Sequence, residues 1–297
     1  MSNSANRLAY IYVLLGATLW GIIGLFIEAL SGAGFTSLQI VTLRVVSAAV
    51  MLVAYLAVKD AGLLKIELKD SLSFIGTGIF SIVFFNWAYF TAIEELSLSV
   101  AVILLYTGPA FVVILSRIVF GEPMTLRKMA ALFLTLIGCV LVVGLVPLSE
   151  ERISWYGLLI GLASGFGYAL YSIFGKHALK KYDSLTVITY TFVFASAFMI
   201  PVSGLSMPGA PLSFLYVWLL ILGLGFFPTA LAYALYTRGL SMVESGRASI
   251  TATFEPVVAT LVGVLLFDEI LTAWQLAGMV LVLAAVVFIQ LKKRESR

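Results

Sequence analysis

The sequence predicts an all-α integral membrane protein: ten transmembrane helices, arranged as two inverted five-helix repeats with both termini in the cytoplasm. Three observations predict it: an apolar composition, a series of long apolar runs, and one stretch that is written twice.

The 297 residues are 62% hydrophobic and 11% charged. A soluble domain carries about 25% charged residues, so lipid must solvate most of this chain. The net charge of +3 is small, and the basic residues cluster between apolar runs, a topological pattern and not a nucleic-acid footprint. Cys139, the single cysteine, rules out an internal disulfide and a cysteine metal site; the single histidine, His177, next to Lys176 at the end of a run, reads as interfacial.

Ten runs are long enough to cross a hydrocarbon core of roughly 30 Å, which needs ~20 helical residues. They are Leu8–Leu30, Ser37–Val58, Ser71–Ile93, Ser97–Arg117, Leu126–Val146, Trp155–Gly175, Leu185–Leu205, Leu212–Thr237, Ala248–Phe267 and Leu271–Leu291. They are continuously apolar, whereas barrel strands alternate. The first is long enough to span, which argues against a cleaved signal peptide. With the N-terminus in the cytoplasm, sixteen Lys and Arg fall on the inner side and only Arg152 on the outer, with Arg44 inside a span. That asymmetry places both termini inside and the pairs Glu94–Glu95, Glu150–Glu151 and Asp268–Glu269 outside.

The doubled stretch runs from Ser97 to Thr125 and again from Glu244 to Thr272. At an offset of 147 residues Ala101 matches Ala248, Ile103 Ile250, Pro109 Pro256, Phe120 Phe267, Glu122 Glu269 and Thr125 Thr272. An offset near half the chain implies two copies of one unit, residues 1–147 and 148–297. Each copy holds five spans, an odd number, so the second enters the membrane from the opposite side. Many secondary transporters are built this way, with the substrate near the midplane between repeats. Channels also use internal repeats.

Gly121-Glu122-Pro123-Met124-Thr125 with Gly138, and Asp268-Glu269-Ile270-Leu271-Thr272 with Gln275 and Gly278, resemble the exit motif of EamA domains. Ala17-Thr18-Leu19-Trp20-Gly21 and Arg44 are similar to the first helices of that domain. Two such domains in tandem resemble the drug/metabolite transporter superfamily over essentially the whole chain. The resemblance implies a ten-helix inverted-repeat fold with a central cavity that moves small metabolites, often outward. The aromatic-rich interior is most similar to YddG-type exporters of aromatic and other neutral amino acids. The second half departs from the pattern: Asp268 stands where a glycine is usual, and Thr191 stands at the twin of Arg44, so no role of Arg44 is doubled by symmetry.

Glu255-Pro256 is the sharpest polar feature, close to the middle of the ninth run. An ionisable group at that depth costs at least ~2.5 kcal/mol and usually faces a cavity or a partner. Pro256 cannot donate to the carbonyl of Ala252, and its twin Pro109 cannot donate to that of Leu105. Such breaks expose backbone groups to substrates, or are structural kinks. Pro228 is the third candidate helix break or gate. Polar stripes at helical spacing comprise Ser164, Tyr168, Tyr171 and Ser172; Thr229, Tyr233 and Tyr236; and Asn86 with Tyr89, beside central Tyr106 and Trp20. A tyrosine hydroxyl deep in lipid needs a partner, so these faces line a cavity or pack between helices. Arg44 has three readings: it snorkels outward, it pairs with Glu28 or Glu255 in a structural bridge, the favoured reading, or it binds a substrate carboxylate. Gly157, Gly161 and Gly165 form a small-residue seam for close helix contact.

No phosphate-binding loop, nucleophile elbow or paired intramembrane aspartates are present in the sequence, so an enzyme is not expected and neither is a cofactor or metal. The expected activity is secondary transport by alternating access at the cytoplasmic (inner) membrane, exporting aromatic or neutral amino acids and related metabolites. The substrate-binding candidates are Trp20, Asn86, Tyr89, Tyr106, Ser164, Tyr168, Tyr171, Tyr233, Tyr236 and Glu255. The expected partners are that small-molecule substrate and the lipid bilayer, with no nucleic acid; a monomer suffices, and a homodimer is compatible. The alternatives are a proton-coupled carrier of drugs, organic cations or nucleotide-sugar-like metabolites, a channel-like facilitator, and a non-transporting scaffold.

Overall fold

A computed structural model describes residues 3–144, 154–204, 214–266 and 270–291. Arg152, the acidic pairs Glu150–Glu151 and Asp268–Glu269, and the last six residues lie outside the described residues. Those described form helices and turns and contain no strand. Nine helices among them are long and apolar enough to cross a membrane: α1 Arg7–Gly32, α2 Ser37–Lys59, α3 Leu68–Glu95, α4 Leu98–Phe120, α6 Trp155–Ala178, α7 Ser184–Val202, α8 Leu215–Met242, α9 Ser245–Leu266 and α10 Ala273–Gln290. Between α4 and α6 lies α5, Leu126–Val142, with 17 residues. Their apolar faces are bare: Val58, Ile118, Leu126, Leu215, Leu265 and Ile270 are all strongly exposed, as a lipid-facing surface requires.

Local chemistry sets the helix starts. Thr36 and Gln39 form a capping box before α2, and Thr272 and Gln275 form another before α10. The hydroxyls of Ser97, Thr125 and Ser154 and the carboxylate of Asp183 cap α4, α5, α6 and α7. Helix α4 ends at Gly121, whose φ of 67° lies in the left-handed region that glycine enters without steric cost.

Four helices are irregular, in matched pairs. Helix α4 divides into Leu98–Leu105 and Gly108–Phe120, and α9 into Ser245–Ala252 and Glu255–Leu266. Both breaks fall just before the matched prolines Pro109 and Pro256, at the position expected from a missing N–H. Helices α3 and α8 contain π-helical segments, Gly76–Val83 and Phe226–Leu231. Pro228 lies in the second, where the Thr229 hydroxyl donates to the Leu224 carbonyl at 2.7 Å.

The main packing runs between the two halves. Helix α1 packs on α8, and its twin α6 packs on α3; α2 packs on α7, and α5 on α10. One end of the bundle gathers Tyr10, Glu67, Lys176, Lys181, Val243 and Arg247 through hydrogen bonds, and the other gathers Glu95 and Ser154. Thus α1 and α6, which begin near Tyr10 and Ser154, start at opposite ends. The glycine seam of α6 lies against α3 and α4: side chains built at Gly157, Gly161 and Gly165 would strike Leu96, Leu104 and Thr107.

The two ends are packed unequally. At the end holding Arg247, Gly108–Phe120 of α4 packs against Ser245–Ala252 of α9. The twin pair at the other end, Leu98–Leu105 and Glu255–Leu266, has no comparable contact among the described residues.

The α5–α10 contact depends on Gly138, where an added Cβ would lie 2.8 Å from Val282 Cγ2 and 3.0 Å from the Gly278 carbonyl oxygen. Gly138→Ala is expected to cost about 1–3 kcal/mol by forcing the helices apart, read as a lower thermal midpoint in detergent. Gly24→Ala, with nothing within 4 Å of its Cβ, is the matched control and is expected to leave the midpoint unchanged.

Candidate functional site

The centre of the bundle is aromatic. Trp20 of α1 meets Tyr233 and Tyr236 of α8 at ring-centroid distances of 5.0 and 5.1 Å, and Tyr171 of α6 meets Tyr233 edge-on at 4.9 Å. Two hydrogen bonds draw α6 and α8 together, Tyr171 to Thr237 at 2.6 Å and Ser172 to Tyr236 at 2.7 Å. These rings, with Tyr168, Phe85 and Ser81, surround a cavity of about 10 Å³, room for one water. Small-molecule pockets are roughly 300 Å³ or more, so the side chains close this space almost completely.

Glu255 stands at the break in α9, half-buried, within electrostatic range of the cavity-lining Tyr168. Tyr89, Tyr106, Tyr168 and Arg44 all lie within electrostatic range of its carboxylate. A side chain on Gly21 would come within 2.9 Å of the Glu255 carbonyl oxygen, so the Trp20-Gly21 pair brings α1 directly against the break.

The remaining candidates divide. Trp20, Tyr168, Tyr171, Tyr233 and Tyr236 line the cavity; Tyr89 and Tyr106 surround Glu255. Asn86 and Ser164 face their own helices: Asn86 Nδ2 donates to the Ile82 carbonyl at 2.7 Å, and Ser164 Oγ to that of Gly161 at 2.6 Å. Neither lines the cavity. Pro109 and Pro256 flank the breaks and Pro228 a π-helical segment.

Arg44 departs from the favoured expectation of a structural ion pair. It is 7% exposed, so it does not snorkel to the surface, and Glu28 is itself exposed. Its Nε and Nη2 are buried with no hydrogen-bond partner. Glu255 lies within Coulombic range of the guanidinium but outside ion-pair contact.

A second feature carries no expected role in the sequence. Glu122, four residues before α5, caps α9 from the other half of the chain. Its Oε1 accepts the Ser245 N–H at 2.7 Å and its Oε2 the Gly246 N–H at 3.2 Å. Lys128 Nζ sits 3.4 Å from Glu122 and 2.9 Å from Glu244, with its side chain 1% exposed. A carboxylate at a helix N-terminus meets free N–H groups and the positive end of the helix dipole. Burial pushes the Glu122 carboxyl up, but the Ser245 and Gly246 N–H groups and the Lys128 charge outweigh it, leaving the group below its ordinary value. Nearby, Lys176 Nζ holds the Leu240 and Val243 carbonyls at 2.6 Å each. Glu122 belongs to the doubled motif, but spacing reveals neither this latch nor its partners, which sit 123 and 124 positions away from Glu122.

Among the described residues no group of three or more His, Cys, Asp or Glu side chains could hold a metal ion.

Exposed apolar helices around a closed polar-aromatic interior define a multi-pass membrane protein. The profile of the EamA-like transporter family matches residues 7–144 and again residues 155–291, and the chain belongs to that family, part of the drug/metabolite transporter superfamily. It is thus a membrane transporter. It is 32% identical to an uncharacterized transporter of Archaeoglobus fulgidus, over 92% of this chain and 93% of the relative. It is 24% identical to the uncharacterized inner membrane transporter YicL of Salmonella typhimurium, over 98% and 97%. A probable amino-acid metabolite efflux pump of Salmonella typhimurium is 29% identical over 59% of this chain and 61% of the pump. A solved crystal structure shares the fold, with a TM-score of 0.79 at 18% identity, over 97% of this chain and 96% of that one.

Glu122→Gln is expected to weaken the latch by about 1.5–3 kcal/mol, the worth of hydrogen bonds to a charged group. Ser249, 1% exposed on the first half of α9, reports it: in a Ser249→Cys background the variant raises labelling by a thiol reagent about tenfold or more. Because the folded Glu122 value is depressed, its stabilisation is fully present above the ordinary carboxylate value of ~4.3 and is lost only as pH falls through the lower folded value. Labelling of the Ser249→Cys parent, once corrected for the thiolate fraction of the reporter cysteine, is therefore expected to be flat between pH 6 and 8.

Proposed function

We propose that the chain is an alternating-access carrier with ten membrane spans in two inverted repeats and both termini cytoplasmic, α5 being the tenth span. It exports small amphipathic metabolites, foremost aromatic and neutral amino acids, across the cytoplasmic membrane, as YddG-type exporters do. The sixteen-to-one distribution of Lys and Arg supports the orientation. With that orientation the latch of Glu122, Lys128 and Glu244 lies on the cytoplasmic side.

One observation carries the mechanism: among the described residues matched helix halves pack closely at one end and have no comparable contact at the other, and one of the two breaks opens onto Glu255. In an inverted repeat the opposite state has the same contacts with the halves exchanged. The observed arrangement is then the cytoplasm-closed state. Its reversal would separate Gly108–Phe120 from Ser245–Ala252 and join Leu98–Leu105 to Glu255–Leu266. Trp20, the tyrosines and Glu255 contact substrate in this reading, and the breaks at Pro109 and Pro256 serve as pivots. The amino-acid assignment draws support from the aromatic lining and from the efflux-pump relative.

Two measurements test this. In liposomes, labelled L-phenylalanine is expected to enter faster when unlabelled L-phenylalanine fills the lumen, with saturation; flux indifferent to the trans side would mean a channel, and no saturable flux a scaffold. A Cβ built at Gly246 stands 3.0 Å from Val113 Cγ2. In a Cys139→Ala background, oxidised Val113→Cys/Gly246→Cys is expected to lose at least nine-tenths of counterflow and regain it on reduction. Undiminished counterflow in the oxidised protein would refute the pivot.

A further inference from the structure

Buried polar atoms in a native fold are nearly always hydrogen-bonded, and each exception asks for an explanation. Three residues near the centre of the bundle carry such exceptions: Arg44 at Nε and Nη2, Trp20 at Nε1 and Ser81 at Oγ. Trp20 and Ser81 line the cavity itself. Arg44 does not line it, but Val41, Val45 and Ala48 on the same face of α2 belong to the buried cluster that holds Trp20 and Tyr233, and Arg44 lies within electrostatic range of Tyr233, whose ring meets that of Trp20 at 5.0 Å. The three residues come from α2, α1 and the π-helical segment of α3, so different elements direct them to one place.

The chemistry of the set is one-sided. A guanidinium and an indole N–H can only donate, and a serine hydroxyl can donate. The guanidinium stays charged, and burying it without an anion is costly. Glu255 balances the field from a distance but makes no ion pair with it, so two N–H edges of the fork remain open. Two parallel N–H donors match the two oxygens of a carboxylate. On the other side, Glu255 offers an acceptor among Tyr89, Tyr106 and Tyr168.

We propose that Arg44, assisted by the Trp20 indole N–H, is the carboxylate-recognising residue of this cavity, so that the carried solute is a zwitterionic α-amino acid with an apolar side chain and not an organic cation. This deepens the transport reading and rests on it. The carboxylate binds Arg44, the ammonium faces Glu255, and the side chain displaces or stacks on the aromatic rings between them. The site has one polarity only. Thr191, at the position matching Arg44, is occupied with Thr77 at 2.7 Å and the Val187 carbonyl at 2.8 Å. The solute therefore has one orientation, although the scaffold has two similar halves.

The test uses three probes on purified protein, followed by tryptophan fluorescence or thermal shift: L-phenylalanine, 3-phenylpropionate, which lacks the ammonium, and phenethylamine, which lacks the carboxylate. The wild type is expected to bind L-phenylalanine at least tenfold more tightly than phenethylamine, a comparison that needs no variant. Arg44→Gln is expected to lose 3-phenylpropionate binding and to bring L-phenylalanine down to the level of phenethylamine; Arg44→Lys keeps part of the preference. A wild type that binds phenethylamine as tightly as L-phenylalanine, or neither carboxylate at all, overturns the proposal. So does an Arg44→Gln protein that binds 3-phenylpropionate as the wild type does. Counterflow of the same preparation separates the two claims. Saturable counterflow without a carboxylate preference removes the subsite alone, and Arg44-dependent binding without counterflow removes the carrier alone.

Discussion

A helix interrupted halfway across hydrocarbon leaves backbone groups that only protein can satisfy, because no water reaches them. The breaks at 106–107 in α4 and 253–254 in α9 therefore dictate what surrounds them. Thr107 and Thr253 turn their hydroxyls back onto the Leu104 and Ile250 carbonyls at 2.6 Å each. Helix α6 must come close enough to cover the first break, and the glycine seam makes that possible: a Cβ at Gly165 would stand 2.8 Å from the Leu104 carbonyl oxygen. Gly21 of α1 does the same beside Glu255. The small residues, the broken helices and the buried aromatic cluster are thus consequences of one requirement, and they fix which helices line the interior.

The latch shows how two similar halves become unequal. Glu122 and Glu269 match, but Lys128 is matched by Gln275. Lys128 joins Glu122 to Glu244, whereas Gln275 is spent on its own helix, accepting the Thr272 N–H at 3.0 Å. The end closed by α4 and α9 is also held by Lys176 on the Leu240 and Val243 carbonyls and by Arg247 toward Tyr10. Buried charge pairs are weak evidence of overall stability, but losing one partner is expensive, which makes such a pair a register device. A scaffold with near-symmetric alternatives acquires a preferred state through substitutions of this kind, at positions remote from the aromatic centre.

Most of the architecture was legible because lipid leaves few options. Apolar runs of spanning length must be helices, and Pro109 and Pro256 at one offset marked the breaks before any coordinates. Helix α2 begins at Ser37, as expected, behind its Thr36 cap, whereas α7 begins at Ser184, one residue before the expected Leu185, because Asp183 caps it. Tyr168, Tyr171, Tyr233 and Tyr236 of the polar stripes line the central cavity, whereas Asn86 and Ser164 bond their own helices. Periodicity reports a face, whereas a short polar side chain can bond its own preceding turn and leave the cavity. Arg44 escaped because pairing depends on rotamers and on the angle at the α9 break, neither of which spacing reveals. Glu122 belongs to the doubled motif, yet its partners begin a helix of the other repeat, a contact that follows only once both halves are folded together.

The aromatic centre and the latch cannot move independently. Trp20 belongs to α1, Tyr171 to α6, and Tyr233 and Tyr236 to α8. The same three helices are joined at the latched end through Tyr10, Lys176, Leu240 and Val243, with α9 completing the set. A rigid tilt that opens this end must therefore shear Trp20 against Tyr233, or Tyr171 against Thr237. Conversely, on the proposed reading a solute between those rings would change the angle between helices whose ends are tied by the 2.6 Å hydrogen bond from Lys176. By linkage the effect is reciprocal: whatever free energy the latch gains from a closed centre, the centre loses when the latch opens.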